Sequence, residues 1–466
     1  MAIQEDLSEW EIAPIKKMAA YGFGYLVVNY LLGSGLSRLL YFYEVEMLLP
    51  GIFLVMAYVI FAIWNMVNDP LLGYLTDKPL KWTRRWGLRA PWVVITSIPM
   101  LLFFIFIWTP PTGNYIAMFF YFIIITFLFD GFFSIYNDHI YGGFTNQFPS
   151  EFERRRAFSI ATFIMGIFIT IMGIISSVVI EFGQPETFVL NAIIMVVLLI
   201  IFNFIQFTGL KESKEMKEMF INKYETVERK GFFHIAKTAF KTKNFVVSLM
   251  GYTVATTATQ LASASGTYMF KDVYGLDLAW SILPSLAGAI SFIFAIPFWY
   301  SYARKHGFKK SYWITFILHG LTYLPYLFIT DIISITVVAF ISGLIYSGEV
   351  IMLMPIASDT YDEVAVKIGK RQDATFVGMR NFFFRIAFLV VGITIPLVHF
   401  LTAYVPTEAI LAQNVFATFG IRVHRALIPM ILLIVMGFIF RKYYDLEGEK
   451  KEKMLKELKE LGLYRP

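Results

Sequence analysis

No cysteine occurs in the 466 residues. That absence removes disulfides, thiol nucleophiles, iron–sulfur clusters and cysteine-ligated zinc together. Charge is scarce too: Asp, Glu, Lys and Arg make up 16% of the chain, against about 25% in soluble domains. A soluble chain of this length would need more polar residues to clothe its surface. Disordered, collagenous and nucleic-acid-binding classes fail on the same composition, so no nucleic-acid partner is expected. The sequence has no Gly-rich phosphate loop, no HExxH, and no metal-ligand spacing among its six histidines. Asn68, Asp69 and Asp77 lack the spacing and second cluster that a prenyltransferase needs to hold magnesium and diphosphate. No segment resembles a channel filter. Neither catalysis nor a resident cofactor is expected.

What abounds is apolar. Hydrophobic residues reach 57% and aromatics 18%, with 48 Phe and 26 Tyr, and the mean hydropathy is +0.62. A run of about 20 such residues crosses hydrocarbon as a helix. Breaks at charge clusters, Gly and Pro leave about twelve runs, near 18–42, 48–76, 91–109, 115–141, 157–181, 187–208, 244–270, 279–303, 311–330, 332–357, 375–402 and 420–441. The acidic, amphipathic start from Met1 to Lys17 lacks the basic n-region of a cleavable signal. With the N-terminus inside, the inside segments hold 34 of the 40 Lys and Arg. This asymmetry predicts a multi-pass protein of the cell membrane with both termini cytoplasmic.

The longest internal polar stretch separates the sixth run from the seventh. The expected organisation is all-α: an N-terminal six-helix lobe over 1–208, a solvated cytoplasmic connector over 209–243, a second six-helix lobe over 244–441 and a cytoplasmic tail over 442–466. Six spans, a connector and six spans is the plan of a two-lobed transporter with a cavity between its lobes. The tail EGEKKEKMLKELKELGLYRP has the Glu–Lys spacing of a surface helix.

Ionisable side chains inside spans are costly and normally face a cavity or a partner. Asp69 sits deep in the second run, just before Pro70, and Asn65 lies one turn earlier on its face. With Asn68 and a carbonyl freed by Pro70, these are hard oxygen ligands suited to a small cation or a proton. In the fourth run Ser134, Asn137, Asp138 and Tyr141 form a polar stripe, with Asp130 two turns before Asn137. The first run carries Asn29 and Arg38. In the seventh, Thr253, Thr256, Gln260 and Ser263 share a face able to bond a polyol or to pack closely against a helix. Glu349 and Arg385 carry opposite charge and could pair across the cavity, with Asn381 one turn before Arg385. Arg422, His424 and Arg425 begin the last run, near the outer surface.

NDPLLGYLTDKP (Asn68 to Pro79) followed by RRWGLRAPW (Arg84 to Trp92) resembles the second-span signature of the glycoside–pentoside–hexuronide:cation symporters of the major facilitator superfamily. SEFERRRAF (Ser150 to Phe158), ASDTYDEVAVKIGKRQDATFVGMRNFFFR (Ala357 to Arg385) and YGFG (Tyr21 to Gly24) agree. The resemblance implies a major facilitator fold and alternating access coupled to Na+, H+ or Li+. It places a cation ligand at Asp69, beside Asn68 and Ser134. Asn65 stands where the family has a second acid, and Arg385 where it has a Lys. The sugar-binding acid of the first span becomes Asn29, and that of the fourth falls on Asn137 or Asp138, with an aromatic at Tyr141.

The leading expectation is therefore a monomeric secondary transporter that moves a small-molecule solute, a sugar, glycoside or sugar acid, with Na+ or H+. The cation would be held by Asp69, Asn65, Asn68 and Ser134. The solute site would draw on Asn29, Asn137, Asp138, Tyr141, Gln260, Glu349, Asn381 and Arg385. Asp77, Arg84, Arg154, Asp362 and Arg371 would form inside charge contacts that break as the cavity opens inward. The alternative is a carrier of a lysolipid or another amphipathic organic anion, with Arg385 on the head and Phe-rich walls on the tail. A membrane enzyme or a receptor is the remaining class.

Overall fold

In hydrocarbon every backbone N–H and C=O must find a partner within the protein, which leaves so apolar a chain only helices to span with. A computed structural model describes residues 13–76, 80–148, 151–214, 216–218, 232–369, 373–407 and 413–461. It is helical throughout, with no strand among the described residues. Twelve long segments cross the bundle. They are α1 (Ile15–Leu32), α2 (Gly51–Thr76), α3 (Ala90–Phe106), α4 (Tyr115–Gln147), α5 (Glu151–Val179) and α6 (Pro185–Gly209). After the connector come α7 (Lys243–Tyr268), α8 (Ile282–His306), α9 (Phe308–Thr322), α10 (Ile332–Ile368), α11 (Asp373–Leu401) and α12 (Val415–Tyr443). Among the described residues, seven stretches of these helices are long and apolar enough to cross a membrane by length and composition alone. The Thr, Ser and Gln stripe keeps α7 out of that set.

The first run is not one helix. α1 stops at Leu32, the chain turns through Gly33–Arg38, and a short helix leads into a π segment, Phe42–Glu46, that buries Glu44 and Glu46. The run was expected to be continuous to residue 42; the paired glycines Gly33 and Gly35 end it early.

Small residues set the closest helix approach. A Cβ on Gly343 of α10 would overlap Ser291 and the carbonyl of Gly288 on α8, so backbones meet there as in other small-residue membrane contacts. Trp299 Nε1 crosses the same seam to donate to the Leu344 carbonyl at 2.7 Å. Both described ends of the chain lie at one end of the bundle: the Ala13 N–H donates to Glu153 at the start of α5, and residues past Tyr443 pack on α7, α9 and α10. At the other end, the far end, the two sets of six helices touch through α2 and α11.

The described parts of the connector and of the tail are docked, where a solvated linker and a solvated tail were expected. Glu212 is buried, and its carboxylate accepts the backbone N–H groups of Leu88, Arg89 and Ala90 at 2.8, 2.7 and 3.2 Å. It thus supplies an anion to the start of α3, where the helix dipole favours one. Gly87, at φ +96°, is required there, because a Cβ would fall 2.5 Å from Glu212 Oε2. Further along, a short helix (Phe232–Lys241) buries Ile235 and Ala239 against Phe245, Val364 and Phe376. The tail helix (Gly448–Glu460) buries Met454 and Leu458. Its Lys451 reaches Asp359 of α10 at 2.5 Å. Just before it, Glu447 pairs with Lys309 of α9 at 2.6 Å. Asp445 accepts from Lys243 and Asn244, both at 2.9 Å, and from Lys450. Although partial burial opposes it, hydrogen bonds from Lys450, Lys243 and Asn244 hold the Asp445 carboxyl well below the usual carboxylate range.

Candidate functional site between the helix bundles

At mid-depth α1, α2 and α4 face α11 across a narrow cleft. Most of its wall is apolar, from Leu31, Phe61, Phe129, Phe133 and Phe388, and its polar groups come from Tyr58, Asn65, Asp130 and Arg385. Asp130, 4% exposed, lies at its centre. Asp130 Oδ1 accepts from Arg385 Nη1 at 3.2 Å, and Oδ2 accepts from Asn68 Nδ2 at 2.9 Å. Arg385 Nη2 donates to Ser134 Oγ at 3.3 Å. Asn65 donates to the Phe61 carbonyl of its own helix at 2.9 Å. Its buried Oδ1 has no hydrogen-bond partner among the described residues. An unpaired buried acceptor is costly, and here its residue lines the same cleft as Asp130.

Several expected residues come together. Asn65, Asn68 and Ser134 surround the Asp130–Arg385 pair. Asn29 of α1 and Tyr141 of α4 meet at 3.2 Å, with Asn29 Nδ2 also donating to the Tyr25 carbonyl at 2.8 Å. Tyr25 and Tyr141 pack edge to face with ring centroids 4.7 Å apart.

Others go elsewhere. Asn137 donates to its neighbour Asp138 at 3.5 Å, and Asp138 abuts Gly73 of α2, within the first set of helices. The expected Glu349–Arg385 pair does not form. Arg385 is taken by Asp130, while Glu349, buried on α10, holds His319 Nδ1 of α9 at 2.7 Å, inside the second set of helices. Gln260 is half-buried on α7. The neighbouring Thr253 and Thr256 hydroxyls donate to the carbonyls one turn back, Leu249 and Tyr252, which leaves them to act only as acceptors. His424, near the start of the last helix, is fully buried within the protein. Of the inside charges, Arg84 is exposed on a short helix, and Arg154 and Asp362 are half-buried. Asp77 and Arg371 lie outside the described residues, as do the side chains of Asp69 and Asn381.

Asp130 is the residue that the sequence reading undervalued. Its signal was present: 130, 134, 137 and 141 step by four, three and four, which puts the acid on the same stripe as Ser134 and Tyr141.

A family profile described as MFS/sugar transport protein matches residues 17–447. The chain belongs to that family. Its members are transporters, and the chain is a multi-pass membrane protein of the major facilitator fold, as the motif resemblance implied. Among curated proteins, an uncharacterized symporter of Synechocystis is 27% identical over 130 residues, a match that takes in 27% of this chain and 23% of that one. Two crystal structures of the nucleoside transporter NupG share the MFS architecture. The unmutated protein gives a TM-score of 0.62 at 17% identity and a point mutant of it 0.57 at 16%, each covering 93% of this chain and 100% of theirs. At that identity the likeness concerns the fold.

Proposed function

We propose that this MFS transporter is a cation-coupled symporter of a sugar, glycoside or sugar acid, working as a monomer in the cell membrane with both termini cytoplasmic. The observation that carries the reading is the Asp130–Arg385 pair, which closes the cleft between the two sets of helices, with an unsatisfied acceptor, Asn65 Oδ1, on a residue that lines the same cleft. Arg385 occupies the oxygens of Asp130 and Ser134. A Na+ or H+ arriving beside Asp69, Asn65 and Asn68 competes with the guanidinium for that negative charge. The released guanidinium then turns to the hydroxyls or carboxylate of the solute. Coupling follows, because cation and solute stabilise the same rearranged state, and neither can shift it by more than its differential affinity for the two states. Asn29 and Tyr141 bond the solute from the opposite wall, and Asp77, Arg84, Arg154, Asp362 and Arg371 act as the inside gate.

The test is thermal stabilisation of the purified protein by a neutral disaccharide, a hexuronate, a nucleoside and a lysolipid. Each is added in NaCl or choline chloride, at pH 5.5 and 7.5. Stabilisation by a sugar or sugar acid that needs Na+ or low pH supports the reading; cation-independent stabilisation defeats the coupling. A second reading, transport of an amphipathic organic anion such as a lysolipid, is favoured by the apolar wall of Leu31, Phe61, Phe129, Phe133 and Phe388 around a single guanidinium. Stabilisation by the lysolipid alone selects it.

A further inference from the structure

A second buried polar system lies at the far end, away from the cleft, and neither the solute site nor the cation site uses it. Glu44, from the π segment after α1, is 2% exposed. Its Oε2 accepts from Tyr268 OH at the end of α7 at 2.5 Å, and its Oε1 lies 3.0 Å from His399 Nδ1 of α11. His399 Nε2 lies 3.1 Å from His424 Nε2 of α12, and His424 Nδ1 lies 2.6 Å from Ser265 Oγ of α7. Ser265 Oγ is also 2.6 Å from the Leu261 carbonyl. Glu44 is the only member of this chain of contacts from the first six helices.

The hydrogens can be counted along the chain. A carbonyl only accepts, so the Ser265 hydroxyl hydrogen points at Leu261, and His424 Nδ1 must be the donor to Ser265. If His424 is otherwise neutral, its Nε2 accepts, and His399 Nε2 must carry a hydrogen. His399 Nδ1 then faces Glu44. With Glu44 ionised and His399 neutral, one contact is lone pair against lone pair: at Glu44 if the histidine hydrogen is on Nε2, at His424 if it is on Nδ1. Only one additional proton, on Glu44, His399 or His424, gives every contact a hydrogen. Unmade hydrogen bonds are expensive in a buried network.

We infer that Glu44, His399 and His424 form a single-proton binding site whose loaded state latches the two sets of helices together at the far end. The inference rests on the alternating-access part of the reading above and adds a proton latch to it. The groups facing the site from the elements around it are Tyr58 of α2, Tyr41, Glu46, Tyr268, Tyr404, Asp272, Lys271 and Arg425. Most are already engaged. Tyr404 stacks on His399 with centroids 4.1 Å apart and donates to Asp272 at 2.8 Å, and Asp272 pairs with Lys271 at 3.3 Å. Tyr41 donates to Glu46 at 2.9 Å, and Arg425 donates to the Ala262 carbonyl at 2.5 Å. The missing hydrogen is thus confined to the Glu44–His399–His424 chain. A closed form that binds the proton more tightly than the open form is favoured at low pH and released as pH rises. Each unit of difference in proton affinity changes the open-to-closed ratio about tenfold.

The absence of native cysteine makes the test clean. Spin labels at Thr112→Cys and Thr330→Cys, both exposed far-end positions on opposite sets of helices, report the opening by double electron–electron resonance without any solute. In the native background the long-distance population should grow about tenfold or more from pH 5 to pH 9. Glu44→Gln should abolish that dependence and stay closed, because its amide donates to His399 Nδ1 while its oxygen accepts from Tyr268, satisfying the chain without the extra proton. Glu44→Ala with Tyr268→Phe removes the crossing contacts and should open at every pH. A native pair that ignores pH, or a Gln variant that keeps the dependence, overturns the proton latch. If even the Ala/Phe variant keeps one closed distance, the far end does not open at all. Alternating access at that end then fails with the latch.

Discussion

Replacing Asp130 by Asn keeps the shape and removes the charge at the centre of the cleft. Asp130 accepts two hydrogen bonds, at 3.2 Å from Arg385 and 2.9 Å from Asn68. Bonds to a charged group contribute roughly 1.5–3 kcal/mol each, and breaking a buried pair from one side costs about 3–5 kcal/mol. Two facts lower the figure. The Arg385 contact is longer than the 2.7–2.9 Å usual for a charge-assisted bond, and the Arg385 side chain keeps 16% of its exposure. An Asn oxygen also replaces one acceptor. The expected loss is therefore about 2–3 kcal/mol, taken from the low end of those ranges. Arg385→Gln should cost a similar amount, and the double variant little more than either single change, a coupling of about 2 kcal/mol. Reversible unfolding in mixed micelles with increasing SDS, followed by tryptophan fluorescence, measures all four corners of the cycle. If the single losses add to within about 0.5 kcal/mol, the two side chains do not act as a pair, and the competition proposed for the cation site loses its basis.

Three other outcomes follow from contacts away from that pair. Gly392→Ala places a Cβ inside the Tyr58 ring where α11 crosses α2; the labelled far-end pair should shift toward its longer distance, and an unchanged distribution would show that these helices have slack. Glu349→Leu strips the buried His319 of its partner and should cost about 2 kcal/mol in the same unfolding assay. Glu349→Gln should cost less, and neither should alter solute affinity, since Glu349 faces away from the cleft. Asp445 has a depressed carboxyl, so its hold on the tail is complete above the ordinary carboxylate range, near pH 4, and is lost only as pH falls through its lower folded value. A nitroxide at Lys453→Cys should therefore show an immobile tail from pH 7 to pH 5. Asp445→Asn should free it at pH 7, and a tail that loosens by pH 5 refutes the assignment.

The helix count and the two-lobed layout could be read early because hydrocarbon imposes one solution on the backbone, and loop charges report the crossings. The cleft was partly legible for a similar reason: helix spacing places Asn65 and Asn68 on α2 and Ser134 on α4 whatever they touch. Pairing was not legible. Glu349 and Arg385 look like partners by charge, but charge carries no address, and each found a closer group in Asp130 or His319. The far-end chain was hidden more deeply. Glu44 and His399 stand at run ends, where hydropathy reads an interfacial residue, and only the folded path of the π segment brings them together. The tail was misjudged because its few apolar residues, among them Met454 and Leu458, are diluted by charge, and the short helix at 232–241 because it sits inside a long polar, charged connector.

The docked tail has a mechanical consequence. It fastens α7, α9 and α10 at one end through Asp445, Glu447 and Lys451, much as a hoop fastens the staves of a barrel. Rocking at that end must carry those three helices as a block, and compliance is pushed toward the side without a hoop. Shortening the chain ahead of residue 445 would leave the staves loose, so a purification handle that trims or tugs this region would alter the movement it was meant to leave alone.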